Sequence, residues 1–243
     1  MLGLPDNITA CLFDLDGVLT DTAAVHRAAW KATFDPVLAA HGQPEFTEDD
    51  YDEYVDGKPR LDGTRDFLRS RGLDVPEGTD DDPPEAETVH AIAQRKNVDV
   101  LRRIQTDGVT VFEGSRRYLE AAAEAGLQRI VVSSSANTGE VLKVTGLDRL
   151  VEGRVDGLTL KQQHIPGKPA PDSFLAGARL AGVPAERAVV FEDATAGVEA
   201  GRRGAFGYVV GVNRLDDHHA QALREQGASV VVQDLAELLG ESA

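Results

Sequence analysis

The period of the apolar positions changes along this chain. Residues 9–13 (TACLF) form a short continuous apolar run that stops abruptly at Asp14, the pattern of a strand buried on both faces whose C-terminal end opens on a loop. From residue 22 to about 107 apolar side chains recur at helical spacing, as at Ala28, Ala29, Ala32 and Thr33 and again at Ala91, Ala93, Val98, Leu101 and Ile104, while strand signals are nearly absent. Within this stretch residues 76–85 (PEGTDDDPPE) combine three prolines, a glycine and a charge run, which predicts a solvated connection between helices.

After Gly108 strand-like and helix-like runs alternate. The pattern predicts a helix over 113–125, a strand over 129–132 (RIVV), a helix over 136–145 and another over 172–181. Strands follow at 188–191 (AVVF), 208–212 and 229–232, with a helix over 196–203 between the first two. Strand and helix in repeated alternation argue for a parallel sheet covered on both faces. The predicted fold class is therefore α/β. A doubly wound, Rossmann-like parallel sheet core built from residues 1–21 and 108–243 is interrupted by an inserted helical cap domain over 22–107.

Composition narrows the functional classes. The 243 residues carry 25 Lys plus Arg against 41 Asp plus Glu, a formal charge of −16, so the average surface repels nucleic acid and anionic membranes, and neither is an expected partner. The single cysteine, Cys11, excludes an intrachain disulfide and a cysteine-cluster metal site, in keeping with a reducing compartment. No run approaches the ~20 apolar residues of a spanning helix, and the first residues lack a signal-peptide pattern. A cytoplasmic enzyme is expected, as a monomer acting on a small molecule.

The candidate chemistry lies where strands end. Asp14-Leu15-Asp16-Gly17 places two carboxylates two residues apart at the end of the first strand, where open α/β sheets bind ligands. A turn at Gly17 is able to splay them, so that one attacks while the other manages protons. A carboxylate attacking phosphorus needs a cation to neutralise the phosphoryl oxygens, and a set of oxygen ligands selects a hard ion such as magnesium. Glu192-Asp193 follows the strand AVVF; if that strand neighbours the first, Asp14 and Asp193 converge on one ion with Glu192 beside them. Ser133-Ser134-Ser135 follows RIVV just ahead of a helix and offers hydroxyl and backbone N–H groups to a phosphate. Lys168, between Gly167 and Pro169, supplies a fixed cation for developing negative charge. Taken singly, each segment has an ordinary reading: a turn, a cap, a solvated helix start, a surface lysine. All four in order at predicted strand ends point to phosphoryl transfer.

Over essentially its whole length the sequence resembles the haloacid dehalogenase superfamily, whose four motifs match DLDGVLTD, Ser134, Lys168 and Glu192-Asp193. The resemblance implies that Asp14 is the phosphoryl acceptor and Asp16 the general acid/base. It further implies that magnesium is held by Asp14, Asp193 and the backbone carbonyl of Asp16, with Glu192 assisting. Within the superfamily the chain is most similar to the β-phosphoglucomutase-like subfamily. The matching segments are DLDGVLTDTAAVHRAAWKA, which includes Thr22, His26 and Trp30, together with RKN at 95–97 and GKPAPDSF at 167–174. That likeness implies substrate contacts from His26, Trp30, Gly57, Lys58, Arg60, Ser135 and Asn137, with Arg60 gripping a distal phosphate and His26 coupling cap closure to proton transfer, while Trp30, four residues after His26, also reads as cap core. The sequence departs from the pattern at Asp56 and Asn137, where lysines are usual.

The expected activity is magnesium-dependent phosphoryl transfer through an aspartyl phosphate. It would convert β-glucose 1-phosphate to glucose 6-phosphate through the 1,6-bisphosphate. A sugar-phosphate phosphatase of the same family uses the same core residues and is the alternative. A non-catalytic phosphosugar-binding protein is a third reading, which the presence of both Asp14 and Asp16 argues against.

Overall fold

The computed structural model describes residues 2–56 and 58–240. The chain divides into two compact units, Met1–Asp21 with Val109–Ala243, and Thr22–Gly108.

The first unit is built on a six-stranded parallel sheet. Its strands are β1 (Ala10–Phe13), β4 (Gln128–Val132), β5 (Gly153–Val155), β6 (Ala188–Glu192), β7 (Tyr208–Val212) and β8 (Val230–Val232), in the order β5-β4-β1-β6-β7-β8. Two short strands, β2 (Thr20–Asp21) and β3 (Thr110–Val111), pair antiparallel where the chain leaves this unit and returns to it. Every residue of β1 and β6 is buried, which is why both read as unbroken apolar runs. Ala10 and Leu12 face one layer, where they pack with Phe174 of α8 (Asp172–Leu180), Val198 of α9 (Thr195–Arg203) and Leu223 of α10 (Asp217–Gln226). On the opposite face Phe13 stacks on Phe191 with centroids 4.5 Å apart, and Tyr118 of α5 (Glu113–Glu124) meets both edge-on. The Tyr118 hydroxyl donates to the Leu2 carbonyl at 2.8 Å. From β1 the chain builds outward to β4 and β5, then crosses back to β6 and builds the other way. The strand order therefore reverses between β1 and β6, and the crevice at their C-terminal ends is the place where such sheets take ligands.

The predicted strands and helices of this unit are present, with shifts at their ends. The helix expected from 136 is α6 (Thr138–Thr145), because residues 133–137 form a hydrogen-bonded turn. β6 extends through Glu192, so this residue closes a buried strand rather than opening a solvated helix. The pattern gave no warning of β5 or of α7 (Gly157–Gln163): β5 is a three-residue edge strand with one buried side chain, and α7 has none.

The second unit contains α1 (Ala23–Ala40), a single turn α2 (Glu48–Asp50) running into a π-helical turn (Tyr51–Val55), α3 (Arg60–Ser70) and α4 (Val89–Asp107). Its core gathers Trp30, Phe34, Val37, Leu38, Phe46, Phe67 and Ile92. The buried stripe of α1 is Ala29, Trp30, Thr33, Phe34, Val37 and Leu38, so the stripe expected through Ala28 and Ala32 is shifted by one residue. Val98 was expected to face inward and is 64% exposed. The inward phase of α4 runs through Val89, Ile92, Lys96, Val100 and Ile104, and a residue two places from Lys96 lies about 200° round the helix. Residues 76–85 carry no helix or strand, and Arg95 donates to the carbonyls of Pro84 and Ala86 beside them. Among the described residues no helix is long and apolar enough to cross a membrane.

The aromatic layer yields a stability prediction. Phe191→Ala should lower unfolding free energy by about 3–5 kcal/mol, whereas Tyr118→Phe, which loses only the bond to Leu2, should cost about 1 kcal/mol. Urea denaturation of both variants checks this; a loss below about 1 kcal/mol for Phe191→Ala would contradict close packing on this face.

Candidate active site

The register of two strands builds the site. Phe13 lies level with Phe191, so Asp14 and Glu192 leave adjacent strands on the same edge, and the Asp14 N–H extends the ladder to the Phe191 carbonyl at 2.9 Å. Lys168 lies between their side chains: its ammonium donates to Asp14 and, at 2.7 Å, to Glu192 Oε2. It also sits 4.9 Å from the centroid of the Phe174 ring. The three side chains are 9%, 2% and 7% exposed for Asp14, Glu192 and Lys168. Water therefore screens this triad little. Asp193 completes the group, and one carboxylate oxygen from each of Asp14, Glu192 and Asp193 lies within 4.8 Å of the others. Three carboxylates against one ammonium leave a negative, all-oxygen site able to hold a metal ion.

The titration of these groups follows from their burial. Burial pulls the Lys168 ammonium down, but the charges and hydrogen bonds of Asp14 and Glu192 outweigh it and hold the lysine above its ordinary range. Burial pushes Glu192 up to about 7, Asp14 adds to the rise, and Lys168 and the Ala194 N–H oppose it.

Two glycines make room for the carboxylates. Gly17 has φ +79°, and a Cβ there would lie 1.8 Å from Asp193 Oδ2. A Cβ at Gly197 would fall 2.1 Å from the Glu192 carboxyl carbon. The loop between Asp14 and Thr20 is a tight turn: the Leu19 and Thr20 N–H groups donate to the Leu15 carbonyl, and Gly17 N–H to Thr20. Asp16 is half-buried on this turn, and its carboxylate is not one of the three grouped oxygens.

At the end of β4 the Val132 carbonyl accepts from Lys168 at 3.5 Å, which brings the serine segment beside the ammonium. Ser133 is buried and its Oγ accepts from the Ser135 N–H; Ser135 Oγ in turn accepts from the Asn137 N–H. These two hydroxyls shape the turn, and Ser134 stands half-buried between them. Asn137 occupies the N-cap position of α6.

The second unit holds the other candidates. His26 Nδ1 is 2.7 Å from Lys96 Nζ; because an ammonium only donates, Nδ1 accepts and Nε2 carries the ring proton. Burial, then the charges of Lys96 and Arg60, holds the imidazole well below its ordinary range, so it is neutral. Arg60 Nη1 donates to Asn97, and its buried Nε has no hydrogen-bond partner. Trp30, for which the sequence offered both a substrate contact and a place in the cap core, is core: it is 2% exposed and stacks on Phe34 at 4.9 Å. Lys58, expected beside Arg60 as a substrate contact, pairs with Asp66 at 2.8 Å. Gly57 lies outside the described residues.

Sequence reasoning missed Lys96 and Arg214. Lys96 is 5% exposed and lies 4.7 Å over the Trp30 ring; its signal was a lysine on the inward phase of α4, a position charged side chains rarely occupy unpaired. Arg214 donates from Nε to the Gly17 carbonyl at 2.6 Å, a contact across 197 residues that no local pattern announces.

The comparisons agree with this geometry. The family model for haloacid dehalogenase-like hydrolases matches residues 8–204. A β-phosphoglucomutase of Mycobacterium bovis is 57% identical over 98% of this chain and 94% of its own length. Hexitol phosphatase A of Escherichia coli is 28% identical over 85% of this chain and 83% of its own. The crystal structure of a β-phosphoglucomutase from Clostridium difficile superposes with a TM-score of 0.77 at 24% identity, covering 95% of this chain and 93% of that one. With most of its length matched and its strand-end acids gathered at one crevice, the chain belongs to the haloacid dehalogenase-like hydrolase family.

Proposed function

We propose that this enzyme is a β-phosphoglucomutase that interconverts β-glucose 1-phosphate and glucose 6-phosphate through an aspartyl phosphate and the 1,6-bisphosphate. The observation that carries the reading is the 57% identity to the mycobacterial β-phosphoglucomutase across nearly the whole of both chains. The buried grouping of Asp14, Lys168, Glu192 and Asp193 at the switch point supplies the chemistry.

In this reading an Asp14 carboxylate oxygen forms the new bond to phosphorus, and the bond from phosphorus to the sugar oxygen breaks. Asp16 gives its proton to the departing oxygen and afterwards takes one from the incoming hydroxyl. Lys168 and Ser134 hold the phosphoryl oxygens, the lysine already fixed by its two carboxylate partners, so little reorganisation is needed as charge develops. Ser135 and Asn137 set the turn that presents Ser134. Asp14, Glu192 and Asp193 form a hard oxygen donor set suited to magnesium, with the Asp16 carbonyl as a further donor; when bound, the ion neutralises charge on the phosphoryl group. In the helical unit Arg60 is assigned to the second phosphate, and neutral His26 with Lys96 to the sugar side. The protein is proposed to act as a cytoplasmic monomer. A phosphatase would use the same core with water as acceptor, a reading favoured by the likeness to hexitol phosphatase A.

The deciding experiment follows glucose 6-phosphate and inorganic phosphate together, from β-glucose 1-phosphate with magnesium and a trace of glucose 1,6-bisphosphate. Nearly stoichiometric glucose 6-phosphate is expected. Inorganic phosphate as main product would make the protein a sugar phosphatase. Arg60→Ala should raise KM for the bisphosphate roughly ten- to a hundredfold, the worth of a charged hydrogen bond, while leaving KM for 4-nitrophenyl phosphate nearly unchanged. Equal effects on both would remove Arg60 from phosphate binding.

The raised Glu192 pKa of about 7 gives a pH dependence. Its proton is held more tightly folded than unfolded, so this contribution to metal-free stability is full below about pH 4.5 and is lost as pH rises through about 7. A metal requires the ionised carboxylate. Magnesium should therefore raise Tm more at about pH 8 than at about pH 6, and Glu192→Gln should erase the difference; an equal rise at both pH values in the unsubstituted protein would contradict it.

A further inference from the structure

The guanidinium of Arg214, from the loop after β7, ties the turn carrying Asp16 to the far side of the sheet through several backbone carbonyls at once. Its Nε donates to the Gly17 carbonyl at 2.6 Å, Nη2 to the Val18 carbonyl at 3.4 Å and Nη1 to the Gln233 carbonyl just beyond β8 at 2.8 Å. The planar group lies 3.6 Å over the Phe112 ring. Phe112 in turn donates its N–H to the Leu19 carbonyl, and Ser115 Oγ donates to Val18. Asp21, Asp193 and Asp234 are close enough to act on the guanidinium electrostatically. A fork of fixed donors is the side chain suited to hold several acceptors in one plane.

What this fork holds is the most permissive point of the catalytic turn. Gly17, at φ +79°, has no side chain to limit its backbone, and it directly follows Asp16. Asp14 needs no such support: it continues a central strand and is fixed by the Phe191 carbonyl and Lys168. The two carboxylates thus depend on different anchors.

We propose that Arg214 is a positioning residue for proton transfer: by clamping the Gly17 and Val18 carbonyls it sets the place of the Asp16 carboxyl, and it acts on the proton step rather than on the attack by Asp14. The inference rests on the mechanism proposed above. In that mechanism the electron pair of the breaking bond stays on the leaving oxygen. A sugar alkoxide must then receive the Asp16 proton, whereas 4-nitrophenolate leaves as a stable anion and needs none.

The test compares the pre-steady-state rate of 4-nitrophenolate release, which reports formation of the aspartyl phosphate alone, with kcat for the sugar phosphate in the full-length protein with magnesium. Measurements cover the unsubstituted chain, Arg214→Met, Arg214→Lys and, as reference, Asp16→Asn. Arg214→Met should raise the aryl-to-sugar ratio about ten- to a hundredfold, since displacing a general acid by about 1 Å costs that order. Arg214→Lys, which restores one donor and the charge, should recover part of it, and provides the comparison if the methionine variant unfolds. An equal fall on both substrates, or no change on either, would overturn the inference. If Asp16→Asn itself leaves the ratio unchanged, the acid/base role fails and the proposal for Arg214 fails with it; if Asp16→Asn moves the ratio and neither Arg214 variant does, the proposal alone fails.

Discussion

Everything at the switch point depends on one buried ion pair network, Lys168 between Asp14 and Glu192. Two carboxylates brought out of water on adjacent strand ends repel each other, and burial pushes the Glu192 carboxyl up. The ammonium offsets that repulsion, and it is itself kept charged by the two acids, burial notwithstanding. Breaking a buried pair of this kind costs about 3–5 kcal/mol because a charge is left uncompensated. The Lys168 contacts that hold Asp14 and Glu192 together therefore contribute to folding the crevice. Asp193 adds a third carboxylate to the group, which makes it receptive to a cation.

Much of this was legible because parallel strands buried on both faces produce apolar runs with sharp ends. Such runs located Asp14 and Glu192-Asp193 at strand termini. Their meeting was conditional in the sequence, resting on whether AVVF neighbours TACLF, and the Phe13–Phe191 register supplies the condition. Edge elements such as β5 and α7 bury too little to leave a pattern. In α1 a run rich in alanine fits more than one helical phase, and only the packing of Phe34 against Phe67 selects the buried one. Trp30, which the sequence also read as cap core, lies in the aromatic core, and Lys58 pairs with Asp66 at the surface. Arg214 was illegible for a different reason. A clamp on backbone carbonyls needs no particular residues opposite it, so neither composition nor spacing marks it.

The charge balance of the chain shows why average and local fields must be separated. A protein of formal charge −16 repels polyanions at long range, yet the salt of a cell screens exposed charges within about 8 Å. A phosphate group entering a crevice responds to what lies inside that distance. In the helical unit burial, helped by the charges of Lys96 and Arg60, keeps His26 neutral. A neutral imidazole accepting from Lys96 at Nδ1 presents an N–H at Nε2, a donor that does not compete as an acid at neutral pH.

The division of anchors has a consequence for how such a chain diverges. Asp14 and Glu192 are held where two central strands end, and a change of side chain there disturbs a close-packed sheet. Asp16 sits on a turn whose geometry is set by Gly17 and by a residue from the opposite end of the unit. In the proposed mechanism the acid/base step can therefore be tuned by substitutions that leave the Asp14 carboxylate in place. A mutase must deliver the phosphoryl group to a sugar hydroxyl, a poor leaving group in reverse, and so depends on accurate proton transfer in both directions. Hydrolysis of activated esters makes no such demand on the first step. A frame that separates the two supports lets mutase and phosphatase chemistry share one core, with the choice between them resting on proton placement and on which hydroxyl reaches the aspartyl phosphate.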